Sequence, residues 1–211
     1  MNAADLRGGR VADAIRRHRL IAVLRRVQPR DALLRLVDEL ADAGVRIFEI
    51  TLDAPHGADD LAAVRADLAG GDCLIGAGTV LQGEQLEAAR RAGADFGGSP
   101  ILDPGLLGRA LDDGLPFIPG AMTPTEAATA WDAGATFVKL FPASAVGPAF
   151  VRELRGPLPH VQLIPTGGID AGNAGAFLAA GAAAVGIGSA ITRATPEQQH
   201  AIVDSVLGTP S

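Results

Sequence analysis

Five dipeptides, Ala43-Gly44, Ala92-Gly93, Asp113-Gly114, Ala133-Gly134 and Ala180-Gly181, each close an amphipathic stretch and stand just ahead of a short apolar run. Glycine is the residue that most easily turns left-handed after the last turn of a helix, so each pair predicts a helix ending and a strand about to begin. The apolar runs fall at residues 20–24, 45–52, 73–76, 94–98, 115–118, 136–140, 161–165 and 183–187. Helical patterns occupy 31–43, 84–92, 104–112, 124–133, 148–154 and 171–180, and a further one, 10–19, precedes the first run. Strand and helix therefore alternate along the chain, the pattern of parallel strands joined by crossover helices. Eight units with a spacing of roughly 20–25 residues and no break in composition predict one α/β domain over residues 1–211. The expected fold is a (β/α)8 TIM barrel with an extra N-terminal helix; an open, doubly wound sheet is the alternative.

Composition removes several classes of function. A chain of 211 residues that is 48% hydrophobic can bury one large core. A net charge of −6 without a cluster of Lys and Arg argues against a nucleic-acid partner and against a basic membrane-binding patch. Any anionic ligand must then be met by local donors. The start, Met1-Asn-Ala-Ala-Asp-Leu-Arg, lacks the apolar core of a signal peptide, and no stretch approaches the ~20 apolar residues of a membrane span, so a cytoplasmic location is expected. Cys73, the single cysteine, allows no intrachain disulfide and no cysteine metal cluster, and it should pack in a strand. His18, His56, His160 and His200 are scattered without metal-ligand spacing and read as surface residues; His56 and Asp59 form at most half of a metal site.

The basic residues are almost all arginine: of 18, only Lys139 is lysine. A guanidinium stays charged and does not attack carbonyls, whereas a lysine among apolar neighbours can lose its proton and form a Schiff base. Lys139 lies in Thr136-Phe-Val-Lys-Leu-Phe-Pro142, the end of an expected buried strand. In a parallel barrel the chemistry sits at the C-terminal strand ends, which here carry Arg25, Glu49, Thr79, Ser99-Pro100, Pro119-Gly120, Lys139, Thr166-Gly167-Gly168 and Gly188-Ser189. Alternation along Val45-Arg-Ile-Phe-Glu-Ile-Thr-Leu52 puts Ile47, Glu49 and Thr51 on one face and Arg46, Phe48 and Ile50 on the other, so Glu49 should point into the barrel. There it can shuttle protons, or serve only as a structural carboxylate paired with an arginine. Gly76-Ala-Gly78 begins like a dinucleotide fingerprint but lacks the third glycine and the acidic ribose ligand. The glycines at 167, 168 and 188 follow the last two strands, where barrels collect phosphate on backbone N–H groups; simple tight turns are the other reading.

Taken together and in order, the strings Ile21-Ala-Val-Leu-Arg25, Phe48-Glu-Ile-Thr-Leu52, Gly76-Ala-Gly-Thr-Val80, Ser99-Pro100, Pro119-Gly-Ala-Met-Thr-Pro124, Val138-Lys-Leu-Phe-Pro142, Pro165-Thr-Gly-Gly-Ile169 and Gly186-Ile-Gly-Ser189 resemble the KDPG/KHG aldolase family over residues 21–191. Its members are class I lyases that cleave 2-keto-3-deoxy-6-phosphogluconate and 4-hydroxy-2-oxoglutarate, typically as metal-free homotrimers without a cofactor. The resemblance implies Lys139 as the Schiff-base lysine and Glu49 as the general acid/base. It implies Arg25, Thr79, Pro100 and Phe141 around the pyruvyl part, and Thr166, Gly167, Gly168, Gly188 and Ser189 at the phosphate end. Many members carry an arginine four positions after the glutamate, and here that position is Asp53. Binding of the substrate carboxylate then falls to Arg25, with Arg26 following it but aimed away by strand alternation. Phosphogalactonate aldolases, also similar, lack that arginine as well, so the sugar epimer stays open. A phosphosugar epimerase using the same Lys and Glu without a covalent intermediate, and a non-catalytic sugar-acid-binding barrel, are the readings from other classes.

Overall fold

The computed structural model describes residues 3–208, with side chains from Gly9 onward; Met1, Asn2 and residues 209–211, and with them the very start of the chain and the ends of the expected 1–211 domain, lie outside the described residues. In chain order the elements are α1 (Ala3–His18), β1 (Leu20–Leu24), α2 (Arg30–Asp42), β2 (Ile47–Thr51), α3 (Gly57–Asp67), β3 (Leu74–Gly78), α4 (Gly83–Arg91), β4 (Phe96–Gly98), α5 (Pro104–Asp112), β5 (Phe117–Ile118) and β6 (Gly120–Ala121). The rest are α6 (Pro124–Asp132), β7 (Val138–Leu140), a 3-10 turn (Ala143–Ala145), α7 (Gly147–Arg155), β8 (Leu163–Pro165), α8 (Ala174–Ala179), β9 (Val185–Ile187), α9 (Ser189–Thr192) and α10 (Pro196–Leu207). All strand pairings are parallel, in a curled six-stranded sheet ordered β5-β4-β3-β2-β1-β9 and a three-stranded sheet β6-β7-β8. Only Pro119 separates β5 from β6. Beyond the other edge of the smaller sheet, Thr166 bridges Gly186 and the Ala183 N–H donates to the Leu163 carbonyl at 2.9 Å.

The period of two divides the core into two layers. Ile21, Val23, Ile47, Leu74, Phe96, Ile118, Phe137 and Ile164 turn inward, joined by Val11, Ala12 and Ile15 of α1. Their neighbours Leu20, Ala22, Leu24, Phe48 and Ile50 turn outward against the helices. The inner layer is crowded enough to demand glycine: a Cβ on Gly76 would stand 2.2 Å from the Phe96 ring. Helix starts follow their sequence signals, as where Thr123 and Glu126 form a capping box ahead of α6 with Pro124 in its first turn. No helix among the described residues is long and apolar enough to cross a membrane.

Several expected boundaries shift. The helix expected at 10–19 begins at Ala3. The strand expected at 73–76 runs Leu74–Gly78, which leaves Cys73 just outside it, half-buried, with burial pushing its thiol up. The helix expected at 171–180 begins only at Ala174, because Asp170 and Asn173 close a side-chain turn first. Helices α3, α9 and α10 stand outside the expected set; α3 lacks a clean apolar stripe, since it buries Asp60 beside Leu61 and Val64.

Candidate active site

Lys139 is the middle residue of β7, with Val138 and Leu140 in the helix-facing core, so alternation turns its side chain the other way. Its backbone is pinned on both flanks, in register with Gly120 and Ile164. Glu49 sits in β2 in register with Val23 and Gly76. The inward orientation read from the sequence therefore holds, and the two side chains meet inside: Lys139 Nζ lies 2.9 Å from Glu49 Oε1 and 3.2 Å from Oε2. Relative exposure is only 7% for Lys139 and 2% for Glu49. Ions cut off from water to this degree are held by each other, and loss of one partner of a buried pair costs about 3–5 kcal/mol. Glu49 is thus paired, but with the lysine rather than with an arginine. Gly78 makes room for it: a Cβ there would fall 2.3 Å from Glu49 Oε1. That is the local reason for the second glycine of Gly76-Ala-Gly78, which belongs to strand β3.

Past the ends of β1, β2 and β3, three loops are tied together by Arg25, Arg26, Asp53 and Thr79. Arg25 Nη1 donates to Asp53 Oδ2 at 2.6 Å, and its Nη2 donates to Thr79 Oγ1 at 3.2 Å. Arg26 Nη2 reaches the same Oδ2 at 3.1 Å and the Asp53 carbonyl at 3.1 Å. The expectation that alternation would separate Arg26 from Arg25 fails, because β1 ends at Leu24 and Arg26 takes a left-handed φ of 52°. Thr79 is left-handed too, at φ 56°, which places a non-glycine residue in a sparsely populated conformation next to Gly78. Burial pushes the Asp53 carboxyl up, but the Thr51 hydroxyl and the guanidinium groups of Arg25 and Arg26 outweigh it and hold the carboxyl below its usual range.

The remaining predicted residues line the same strand ends. The Ser99-Pro100-Ile101 segment presses on Gly120, where a Cβ would lie 2.2 Å from the Pro100 carbonyl carbon. Phe141 lies with its ring against Gly167, and Thr166 is buried with its hydroxyl over Gly186. Gly167 and Gly168 take φ values of 93° and 75°, which side chains resist. Gly188 precedes α9, and a Cβ there would meet nothing nearer than Val23 at 3.7 Å, so space remains in front of it. Sequence reasoning missed two supports of these loops. Asn173 Nδ2 donates to the Gly168 carbonyl at 2.9 Å, and the Ser144 N–H donates to the Gly167 carbonyl at 3.0 Å. The spacing of Asp170 and Asn173 was the available signal for the first.

A concavity of about 860 Å³ opens at the other end of the strands between Arg10, Arg65, Arg90, Arg91, Arg109, Glu87, Asp95 and Asp113. It is remote from Lys139, and each of its arginines is engaged by one of those carboxylates. His56 stands 3.6 Å from Asp60 ahead of α3, and among the described residues no group of three or more His, Cys, Asp or Glu is arranged to hold a metal ion.

A parallel α/β fold with one buried lysine on a glutamate can be compared with known proteins. The family model for KDPG and KHG aldolases matches residues 11–205. This chain belongs to that family. As a KDPG/KHG aldolase it is a lyase. It is 39% identical over 176 residues to the 2-dehydro-3-deoxy-6-phosphogalactonate aldolase of Escherichia coli K12, a match covering 83% of this chain and 85% of the relative. To the 2-dehydro-3-deoxy-phosphogluconate aldolase of Treponema pallidum it is 37% identical over 170 residues, 80% of each chain. In three dimensions it resembles the KDPG aldolase of Legionella pneumophila, solved with pyruvate captured as a covalent carbinolamine, with a TM-score of 0.79, 28% identity and coverage of 97% of this aldolase and 98% of that one.

Proposed function

We propose that this protein is a class I aldolase that cleaves 2-keto-3-deoxy-6-phosphogluconate to pyruvate and glyceraldehyde 3-phosphate, and 4-hydroxy-2-oxoglutarate to pyruvate and glyoxylate. The observation that carries the reading is the buried contact of Lys139 Nζ with Glu49 at 2.9 Å. A carboxylate in that position can take a proton from the amine, leaving the lone pair that nucleophilic attack requires. Neutral Lys139 adds to the keto carbon to give a carbinolamine. Glu49 moves the protons that let water leave, and an iminium forms. A base then removes the proton of the C4 hydroxyl, the C3–C4 bond breaks into the iminium, and the aldehyde departs from an enamine. Protonation at C3 and hydrolysis release pyruvate and restore the amine.

In this reading Arg25 and Thr79 receive the keto-acid carboxylate, and Pro100 and Phe141 flank the pyruvyl part. The backbone of Thr166, Gly167, Gly168, Gly188 and Ser189 receives the phosphate. The left-handed glycines of one loop and the open space before Gly188 support that assignment. The same reading takes the two sheets as one closed (β/α)8 barrel, through Pro119 on one side and the Thr166–Gly186 bridge on the other, with α1 as an additional N-terminal helix. It also takes the enzyme as a cytoplasmic homotrimer acting on a small phosphorylated keto acid. A second substrate, the phosphogalactonate epimer, is favoured by the similarity to the E. coli enzyme. A panel of the two epimers and hydroxyoxoglutarate separates them by kcat/KM.

Borohydride reduction in the presence of pyruvate tests the covalent step. The expected result is inactivation with one pyruvyl adduct on the peptide containing Lys139, an unambiguous assignment because the chain has no other lysine. Normal cleavage of substrate without a trapped adduct at Lys139 would overturn the Schiff-base reading, whereas neither cleavage nor an adduct would favour the phosphosugar epimerase.

A further inference from the structure

Arg25 has five N–H donors, and the structure commits its two terminal nitrogens to Asp53 and Thr79. Those two anchors are themselves fixed. Leu52, before Asp53, donates its N–H to the Gly78 carbonyl at 2.8 Å, and its own carbonyl accepts from Gln85 Nε2 at 2.9 Å. Thr79 follows Gly78, the residue that abuts the Glu49 carboxylate. The Arg25 guanidinium is thereby held on Thr79, next to the glycine that abuts Glu49, while its side chain remains 49% exposed and these two bonds leave its other N–H groups uncommitted. A long, rotamer-rich side chain so exposed would otherwise be mobile, and ordering it on binding weakens affinity. Arg26 supplies the second observation: two guanidinium groups on one carboxylate leave the cluster with one net positive charge, which suits one further carboxylate.

We propose that Asp53 is a positioning residue for the substrate's carboxylate, holding Arg25 at the mouth as a preset donor fork, with Arg26 balancing the charge of the aspartate. The proposal rests on the Schiff-base reading, since it needs a keto acid bound at Lys139. Asp53 touches no substrate in this scheme and acts through Arg25.

The test is the pyruvate concentration that half-saturates borohydride trapping at Lys139, measured with the wild type, Asp53→Asn, Asp53→Glu and Arg26→Ala, alongside KM and kcat for cleavage. Asp53→Asn should raise the half-saturating pyruvate about tenfold, with the loss in cleavage falling mainly on KM. Asp53→Glu should recover part of it, because a carboxylate is again within reach of Arg25. Arg26→Ala, at a residue 61% exposed in its side chain and so safe for folding, should raise it by about threefold. Trapping by Asp53→Asn at the wild-type concentration or below would overturn the proposal, as would an unchanged Arg26→Ala should Asp53→Asn not fold. A wild type that never traps pyruvate on Lys139 would instead overturn the Schiff-base reading, so the two failures are distinguishable.

Discussion

The two ends of the parallel strands handle charge in opposite ways. At the N-terminal end, five arginines and three carboxylates line a cavity of about 860 Å³. Most of those arginines are well exposed, with side-chain exposures up to 73% for Arg91. Water solvates and screens the most exposed of these pairs, Arg91–Glu87 and Arg109–Glu87, and each contributes roughly 0–1 kcal/mol. At the C-terminal end, besides the more exposed cluster of Arg25, Arg26 and Asp53, Lys139 and Glu49 meet with side-chain exposures of 9% and 3%. Nothing but the partner and the surrounding protein solvates them there, so proton transfer between them alters the energetics of the whole pair. What separates the two groups of charges is access to water rather than their number.

Substitutions at the two ends should differ accordingly. The largest effect belongs to Lys139→Arg: it keeps a cation beside Glu49 but removes the nucleophile, so kcat should fall by a factor on the order of 10⁴ or more and borohydride trapping should vanish. Glu49→Gln should lower kcat by about 10²-fold or more with the far-UV circular dichroism unchanged; an active variant would make Glu49 merely structural. Gly188→Asp places a carboxylate where the phosphate would bind, and kcat/KM for the phosphorylated substrate should drop by about 10²-fold, roughly 2.7 kcal/mol, with a much smaller loss for hydroxyoxoglutarate. Equal losses on both substrates would point to a damaged fold. Gly78→Ala drives a methyl into Glu49 Oε1, so kcat should fall about tenfold and stability by about 1–3 kcal/mol, measured by urea denaturation. At the opposite end, Arg109→Ala breaks an exposed pair with Glu87 and should cost no more than about 1 kcal/mol, leaving kcat/KM at the wild-type value. A large kinetic effect there would break the contrast between the two ends.

How far the site could be read in advance varied with distance from a regular element. Glu49 and Lys139 lie inside strands, where alternation dictates direction; Glu49 points inward as expected, and Lys139, expected at the end of a buried strand, is buried there and meets it. Arg26 lies two residues past β1, where a left-handed φ reverses the direction that alternation would give it. Asn173 and Ser144 buttress the glycine loop from segments whose neighbourhood is created only by folding.

The sequence by itself determined the alternation of strands and helices, the inner and outer faces of the strands, and the presence of a single lysine in a buried strand. These follow from local physics: the period of two, the left-handed freedom of glycine after a helix, and the chemistry of an amine against that of a guanidinium. Tertiary structure alone decided that Glu49 and Lys139, 90 residues apart, share a hydrogen bond, that Gly78 must be bare to admit Glu49, and that Asp53 gathers both Arg25 and Arg26. Those contacts depend on which strands the fold brings opposite one another and on backbone turns after strand ends, whereas side-chain periodicity gives only the face that each residue takes.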